Sequence, residues 1–284
     1  LSKDHSRIYS VGHDPCGKIY DLVHKQQVRR ISEFGDMPLS SAAVCSYSDQ
    51  QQDSASNSNT LMMVGSWDNK IYVYSVEYGR VIDIINAHDD AVTRLCFNNT
   101  NYLLSSSWDA TVKLWQCTPN GVSAVPLVTF ADHEDSVEAI QFDPSGNLFA
   151  VGTSEGAMLV YDVRAKKPVS TSVSIHNEAI SQIAFVDSGT LLSCSKDHQV
   201  KLSKVNGAQL SSFNSGEPLN CFVSDGDTII TGGDSGLLKM WQLDSGDLLK
   251  SYPGHNAAIT AIAVATHGQS LVTGAQDGEV ILWN

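Results

Sequence analysis

The sequence predicts an all-β protein, a propeller of seven blades with four short antiparallel strands each, on three observations. One string recurs along the 284 residues, as in LLSSSWDATVKLW (103–115) and LVTGAQDGEVILW (271–283). Its copies end at Tyr20, Tyr74, Trp115, Tyr161, Ser203, Trp241 and Trp283, a repeat of about 44 residues. The last strand of each copy alternates with period two: Ile19, Val73, Leu114, Val160, Leu202, Met240 and Leu282 all sit one residue before the anchor. A sandwich has no need of such a repeat; radially repeated four-stranded sheets do. The whole chain, 1–284, reads as one such domain.

The strands follow in order within each unit. The first, innermost strand begins a few residues after a His, at 92–97, 137–142, 180–185 and 259–264. The second precedes a polar turn, as at 148–151 and 228–230, and the third ends at the anchor. A fourth follows, at 81–85, 122–128 and 248–251. The chain starts late in this scheme. Blade one shows a second strand at 7–11 and a third at 18–20, so most of its innermost strand is expected upstream of Leu1. Blade seven stops at its third strand. The long first spacing comes from SYSDQQQDSASNSNT (46–60), which has almost nothing to bury and reads as a mobile loop between the first two strands of blade two.

Six residues before the anchors stand Asp14, Asp68, Asp109, Glu155, Asp197, Ser235 and Asp277. Four of these acids pair with a His 21 or 22 residues upstream. The sets are His88, Ser105 (or Ser107), Asp109 and Trp115; His255, Thr273, Asp277 and Trp283; His176, Ser193 and Asp197; and His133 with Glu155. Ser, His and Asp together suggest a hydrolase. Yet a catalytic triad occurs once, beside a cleft and an oxyanion hole, whereas a fourfold arrangement suits a structural task. Blades two and six lack the His, so they are expected to rest more on apolar packing and to be softer.

The units resemble WD40 repeats, which carry Gly-His near the start and Trp-Asp near the end. Gly254-His255 is intact, Ala87-His88, Asp132-His133 and Ile175-His176 keep the His, and Tyr161-Asp162 replaces Trp-Asp. The resemblance implies that the acid holds the His, the His meets the Ser or Thr, and the hydroxyl meets the indole. More narrowly, GSWDNKIYVYSVEYGRVIDIINAHDDAVTRLCF (65–97), SSSWDATVKLWQC (105–117) and Glu217-Pro218 with CFVSDG (221–226) resemble the C-terminal propeller of BEACH-domain proteins. This implies a signalling adaptor coupling a receptor cytoplasmic tail to neutral sphingomyelinase activation, with its own BEACH domain as a second candidate partner. A propeller of another BEACH protein, acting in membrane trafficking or autophagy, is the alternative.

Composition narrows the partner. With 18 basic and 31 acidic residues the formal charge is -13, which gives no basic footprint for nucleic acid. No apolar run reaches 18 residues, so no membrane insertion is expected. The six Cys, at 16, 45, 96, 117, 194 and 221, form no CxxC pair and read as small core residues of a cytoplasmic chain, without a zinc site or other cofactor. Phosphate-loop and nucleophile-elbow motifs are lacking. The residue before each turn acid should face the propeller's top: His13, Trp67, Trp108, Ser154, Lys196, Asp234 and Gln276. Trp67 and Trp108 fall in adjacent blades, and Asp89, Asp90, Glu134, Asp135 and Asp234 would ring them with negative charge. Such a surface suits proteins or peptides of basic or apolar character.

Overall fold

The computed structural model describes residue 2 and residues 6–48, 58–98, 101–169, 173–265 and 270–283. The fold is an all-β seven-bladed propeller with antiparallel blades. The chain forms two compact units, Leu1–Val137 and Glu138–Asn284.

The first unit holds three blades. Blade one has three strands, Arg7–Ser10, Gly17–Asp21 and Gln26–Ile31. Blade two has four, Leu39–Ser48, Ser58–Ser66, Lys70–Ser75 and Arg80–Asn86. Blade three runs through Val92–Phe97, Tyr102–Ser107 and Val112–Thr118. Its outer strand, expected as one piece at 122–128, is split into Gly121–Val122 and Val128–Phe130, both paired with Val112–Thr118. Between them Ser123 Oγ donates to the Val125 carbonyl and its backbone N–H to Gln116, so the intervening residues turn away from the ladder. The core of this unit is built of alternate strand residues. Leu61, Met63, Ile71, Val73, Leu103 and Trp115 form one cluster; Met62, Val64, Phe34 and Tyr74 form another on the other side of blade two.

The second unit holds four blades, whose innermost strands are Val137–Phe142, Ile180–Phe185, Leu219–Asp225 and Ile259–Ala265. Blade seven has three strands, the last Val280–Trp283. Blade four replaces the Trp anchor by Tyr161, which stacks on Phe149 at 4.9 Å and 10°. In most blades the innermost strand bulges one residue in, at Ser40, Thr93, Ser181, Asn220 and Thr260. All five are polar. The extra residue bends the strand and re-aims its side chain, and Ser40 and Thr260 use that freedom to bond a carbonyl of the neighbouring strand.

The loop expected at 46–60 is shorter than its composition suggests. Residues 49–57 lie outside the described residues, but the flanks are strand, with Ser46 opposite Thr60 and Tyr47 opposite Asn59. Two features hold them. The Tyr47 ring packs on the cluster around Leu61 and Cys117, and polar residues find partners: Thr60 N–H donates to Glu77 at 2.8 Å and Asn59 Nδ2 to the Pro119 carbonyl at 2.5 Å.

Candidate protein-interaction surface

Each turn between the second and third strands is fixed by its backbone. In blade three the Asp109 N–H donates to Ser107 Oγ at 3.0 Å, and Ser107 Oγ to the Asp90 carbonyl at 3.1 Å. The Trp108 N–H donates to the Ala91 carbonyl at 3.1 Å. Blade two repeats this with Ser66, Asp68 and Trp67, whose N–H donates to Pro38; blade five repeats it with Ser195, Asp197 and Lys196. The residue before the acid therefore has its backbone tied down and its side chain unused by the turn.

Below the turns lie the His sets. Asp109 accepts from His88 Nδ1 at 2.9 Å, from the Asp89 N–H at 3.0 Å and from the Thr111 N–H and hydroxyl. Because the carboxylate only accepts, the ring proton sits on Nδ1. Nε2 then accepts from the Ser105 hydroxyl at 2.8 Å, and Ser105 Oγ accepts the Trp115 indole N–H at 2.9 Å. Ser105, not Ser107, is the member of the set. Blade five repeats the arrangement with His176, Asp197 at 3.0 Å and Ser193 at 2.8 Å, but Ser203 stands where the indole would be. In blade seven His255 Nε2 meets Thr273 Oγ1 at 2.7 Å and Trp283 donates to the same hydroxyl at 2.9 Å, while Asp277 lies 3.8 Å away, beyond hydrogen bonding. His133 Nδ1 faces the Ala110 carbonyl at 3.2 Å; Glu155 is an exposed residue of the second unit. Every one of these hydroxyls is sealed from solvent, with Ser105 fully buried under its indole. No substrate carbonyl can reach it, so these sets tie the blade elements together rather than act as nucleophiles.

Lys two residues before the anchor has a purpose that strand alternation alone does not reveal. Lys113 Nζ donates to the Ala87 carbonyl at 2.7 Å and Lys201 Nζ to Ile175 at 2.6 Å, each just before the buried His. Blade six keeps this Lys and replaces the His–Asp pair. The Glu217 carboxylate lies 2.6 Å from Lys239 Nζ and accepts the Ser235 N–H at 2.7 Å, while Trp241 donates to Thr231 at 2.9 Å. Blade six thus contains a buried ion pair, which corrects the expectation that it rests on apolar packing. In blade two the buried Phe34 packs edge-on against Tyr72 and Tyr74, and the Tyr72 hydroxyl donates to Asp68 at 2.6 Å.

These networks set a pH dependence. Burial alone would push the Asp109 carboxyl up; the bonds from His88, Thr111 and the Asp89 N–H outweigh it and hold it well below the usual carboxylate range. Asp197 is lowered in the same way. Burial pushes the His176 and His133 rings down, against the pull of Asp197 and of the Ala110 carbonyl. The unfolded chain therefore binds protons on these His as pH falls below about 6.5 and on the Asp below about 4, while the folded chain resists. Stability is fully present above pH 7 and is lost in two stages on acidification. Thermal melts at 0.3 M salt, which screens the general negative charge, should show midpoints falling from pH 7 to 5 and again below 4. A midpoint that rises from pH 7 to 5.5 contradicts this.

Above the networks, Trp67 and Trp108 meet. Their ring centroids are 5.3 Å apart at 47°, and the His13 ring joins the far side of Trp67, edge-on at 5.2 Å. The row spans three blades of the first unit. Trp108 is 41% exposed and His13 is exposed; Trp67, between them, is only half-exposed. His13 holds the equivalent position in blade one, but its stacking on Trp67 depends on the geometry between blades and is not legible in the sequence. Two segments that carry carboxylates are tied to the Trp108 turn. The Asp89–Asp90 segment is joined to its turn through the Asp90 and Ala91 carbonyls, and the His133–Glu134–Asp135 segment through Ala110. Asp89, Asp90 and Glu134 are exposed and Asp135 half-buried. Asp234, expected in the same rim, belongs to the second unit, where Lys196 lies 3.5 Å away and Asn220 donates to it at 3.0 Å. Its charge is answered within its own unit.

Comparison with known proteins places the chain in context. Residues 52–247 match the family model described as Nucleolar protein 10-like, N-terminal domain, and residues 246–284 match that described as WD domain, G-beta repeat. Similar proteins include BEACH domain-containing protein B of Arabidopsis thaliana, 22% identical over 80% of this chain and 10% of that protein. Periodic tryptophan protein 2 homolog of Dictyostelium discoideum is 24% identical over 86% of this chain and 23% of its own length. Actin-interacting protein 1 of Drosophila melanogaster is 25% identical over 98% and 46%. The chain thus spans from a tenth to less than half of the length of these relatives.

Proposed function

We propose that this chain, which belongs to the β-propeller family described as Nucleolar protein 10-like, N-terminal domain, is a protein-interaction scaffold that binds basic, partly apolar peptide segments on the His13–Trp67–Trp108 row. The observation that carries the reading is the contact between the two indoles at a position the turn leaves unconstrained, with four carboxylates in the adjoining segments. An indole face attracts a guanidinium or ammonium, and nearby carboxylates add to that attraction. Apolar side chains of the same segment would cover the indole edges.

Within that class, the finer reading is a BEACH-type adaptor whose partners are a receptor cytoplasmic tail and its own BEACH domain, coupled to neutral sphingomyelinase activation. It is supported by the strings at 65–97 and 105–117 and by the similarity to BEACH domain-containing protein B. A displayed library of random peptides selected against the chain tests the partner class. Sequences rich in Arg or Lys with apolar neighbours are expected, and their binding should weaken when salt rises from 0.1 to 0.5 M. Enrichment of acidic peptides, or binding indifferent to salt, would sink the proposal.

A further inference from the structure

Two residues past the turn acid, the seven blades carry Cys16, Lys70, Thr111, Ala157, Gln199, Leu237 and Glu279. Glu279 is the one carboxylate in this series. Its backbone N–H donates to Asp277 Oδ1 at 2.9 Å, as Thr111 and Gln199 do to their own Asp. Its side chain, however, brings a second carboxylate to the turn. Ligand atoms of Glu279, Asp277 and His255 all lie within 4.8 Å of one another. Two carboxylates at this range repel unless a cation stands between them.

The His on the other side is unlike its counterparts. The His255 side chain is fully buried, and Nε2 is bonded to Thr273. Nδ1 has no hydrogen-bond partner among the described residues and lies 3.8 Å from Asp277 Oδ1. In blades three and five the same atom is closed onto its Asp at 2.9 and 3.0 Å. A buried ring nitrogen is thus aimed at two carboxylates without a hydrogen bond to either.

We infer that His255 Nδ1, Asp277 and Glu279 bind a divalent transition-metal ion, with Zn²⁺ the best match. A gap of 3.8 Å is too long for a hydrogen bond. An ion about 2.1 Å from each atom spans up to about 4.2 Å and fits it. Mixed imidazole and carboxylate ligands favour zinc over Mg²⁺ or Ca²⁺, which prefer all-oxygen shells. Three protein ligands leave a fourth position for water. With the metal on Nδ1, the ring proton sits on Nε2 and is donated to Thr273 Oγ1, the outer partner that a metal-bound His requires. Asp277 and Glu279 are exposed residues, so the ion has an open approach. Bound there, it would join the 276–279 turn to His255, as the direct His–Asp bond joins the equivalent elements of blade three.

Calorimetric titration of chelator-treated protein with ZnSO₄, with MgCl₂ in parallel, tests this. One Zn²⁺ per chain is expected, with a raised melting temperature and no response to Mg²⁺. Glu279→Gln keeps the backbone bond to Asp277 and should weaken Zn²⁺ at least tenfold without lowering the metal-free melting temperature, since it also removes the repulsion between the two carboxylates. Should that variant melt early, ring-¹⁵N spectra of the unaltered chain replace it: Zn²⁺ must shift the His255 Nδ1 resonance. No uptake, equal uptake by Glu279→Gln, or shifts confined to other His would overturn the inference.

Discussion

Trp67→Ala combined with Trp108→Ala should weaken binding of a selected basic peptide by roughly thirtyfold or more, about 2 kcal/mol, with the fold intact. The size follows from the contact. The rings lie 5.3 Å apart, so a ligand covering one also touches the other. Both are lost together, and with them the apolar face next to the carboxylate-bearing segments 89–90 and 134–135. Stability should change far less. The turns are held by Ser66, Ser107 and backbone groups, none of which the substitutions remove. The ring–ring contact itself is worth on the order of 1 kcal/mol. Other blades place Ser154, Lys196 or Gln276 at this position, so the turn does not demand an indole. Binding isotherms and melts of the same double variant separate the two effects. Unchanged affinity, or a variant that unfolds, would return both indoles to a structural role.

Glu217→Ala should destabilise the protein by about 3–5 kcal/mol, the range for a buried ion pair that loses one member. Glu217 and Lys239 have side chains only 10% and 16% exposed, and the Lys239 ammonium would keep the Ser215 carbonyl at 3.3 Å and the Trp241 ring face at 6.0 Å, but no counter-charge among the described residues. The Ser235 N–H would lose its acceptor as well. Burial alone would raise the Glu217 carboxyl, but bonds from Lys239 and Ser235 hold it below its ordinary value. The charged pair is therefore the folded state's preference near neutrality. The paired change Glu217→Gln with Lys239→Met should recover much of the loss, since no charge is then left buried. Chemical denaturation of the three chains measures this. A Glu217→Ala midpoint equal to the parent's would mean that blade six rests on apolar packing after all.

Strand positions are legible in the residues because seven copies keep one phase. A period-two pattern that is ambiguous once becomes definite when Val92–Phe97, Val137–Phe142 and Ile180–Phe185 all obey it. The His–acid spacing likewise selects the residues that meet in blades three and five. Three features escape such reading. The Glu217 pair joins a residue before the innermost strand to the Lys of the third, an ion pair that among the described residues occurs in blade six alone. The hairpin flanks at 46–48 and 58–60 look like loop because their stabilising groups, the Tyr47 ring and the Glu77 and Pro119 acceptors, come from a single side chain and from other segments. The 3.8 Å gap at His255 follows from turn geometry, and its spacing to Asp277 differs by only one residue from that of His88 to Asp109.

The central claim is that the His13–Trp67–Trp108 row is where a partner docks. Hydrogen exchange of the chain with and without a saturating selected peptide tests it most directly, because backbone protection needs no prior choice of side chain. Protection is expected in the turns at 67–70 and 108–111 and in the segments at 89–91 and 134–136. Protection confined to outer turns such as 204–208 or 244–247, with those four segments unchanged, would contradict the claim.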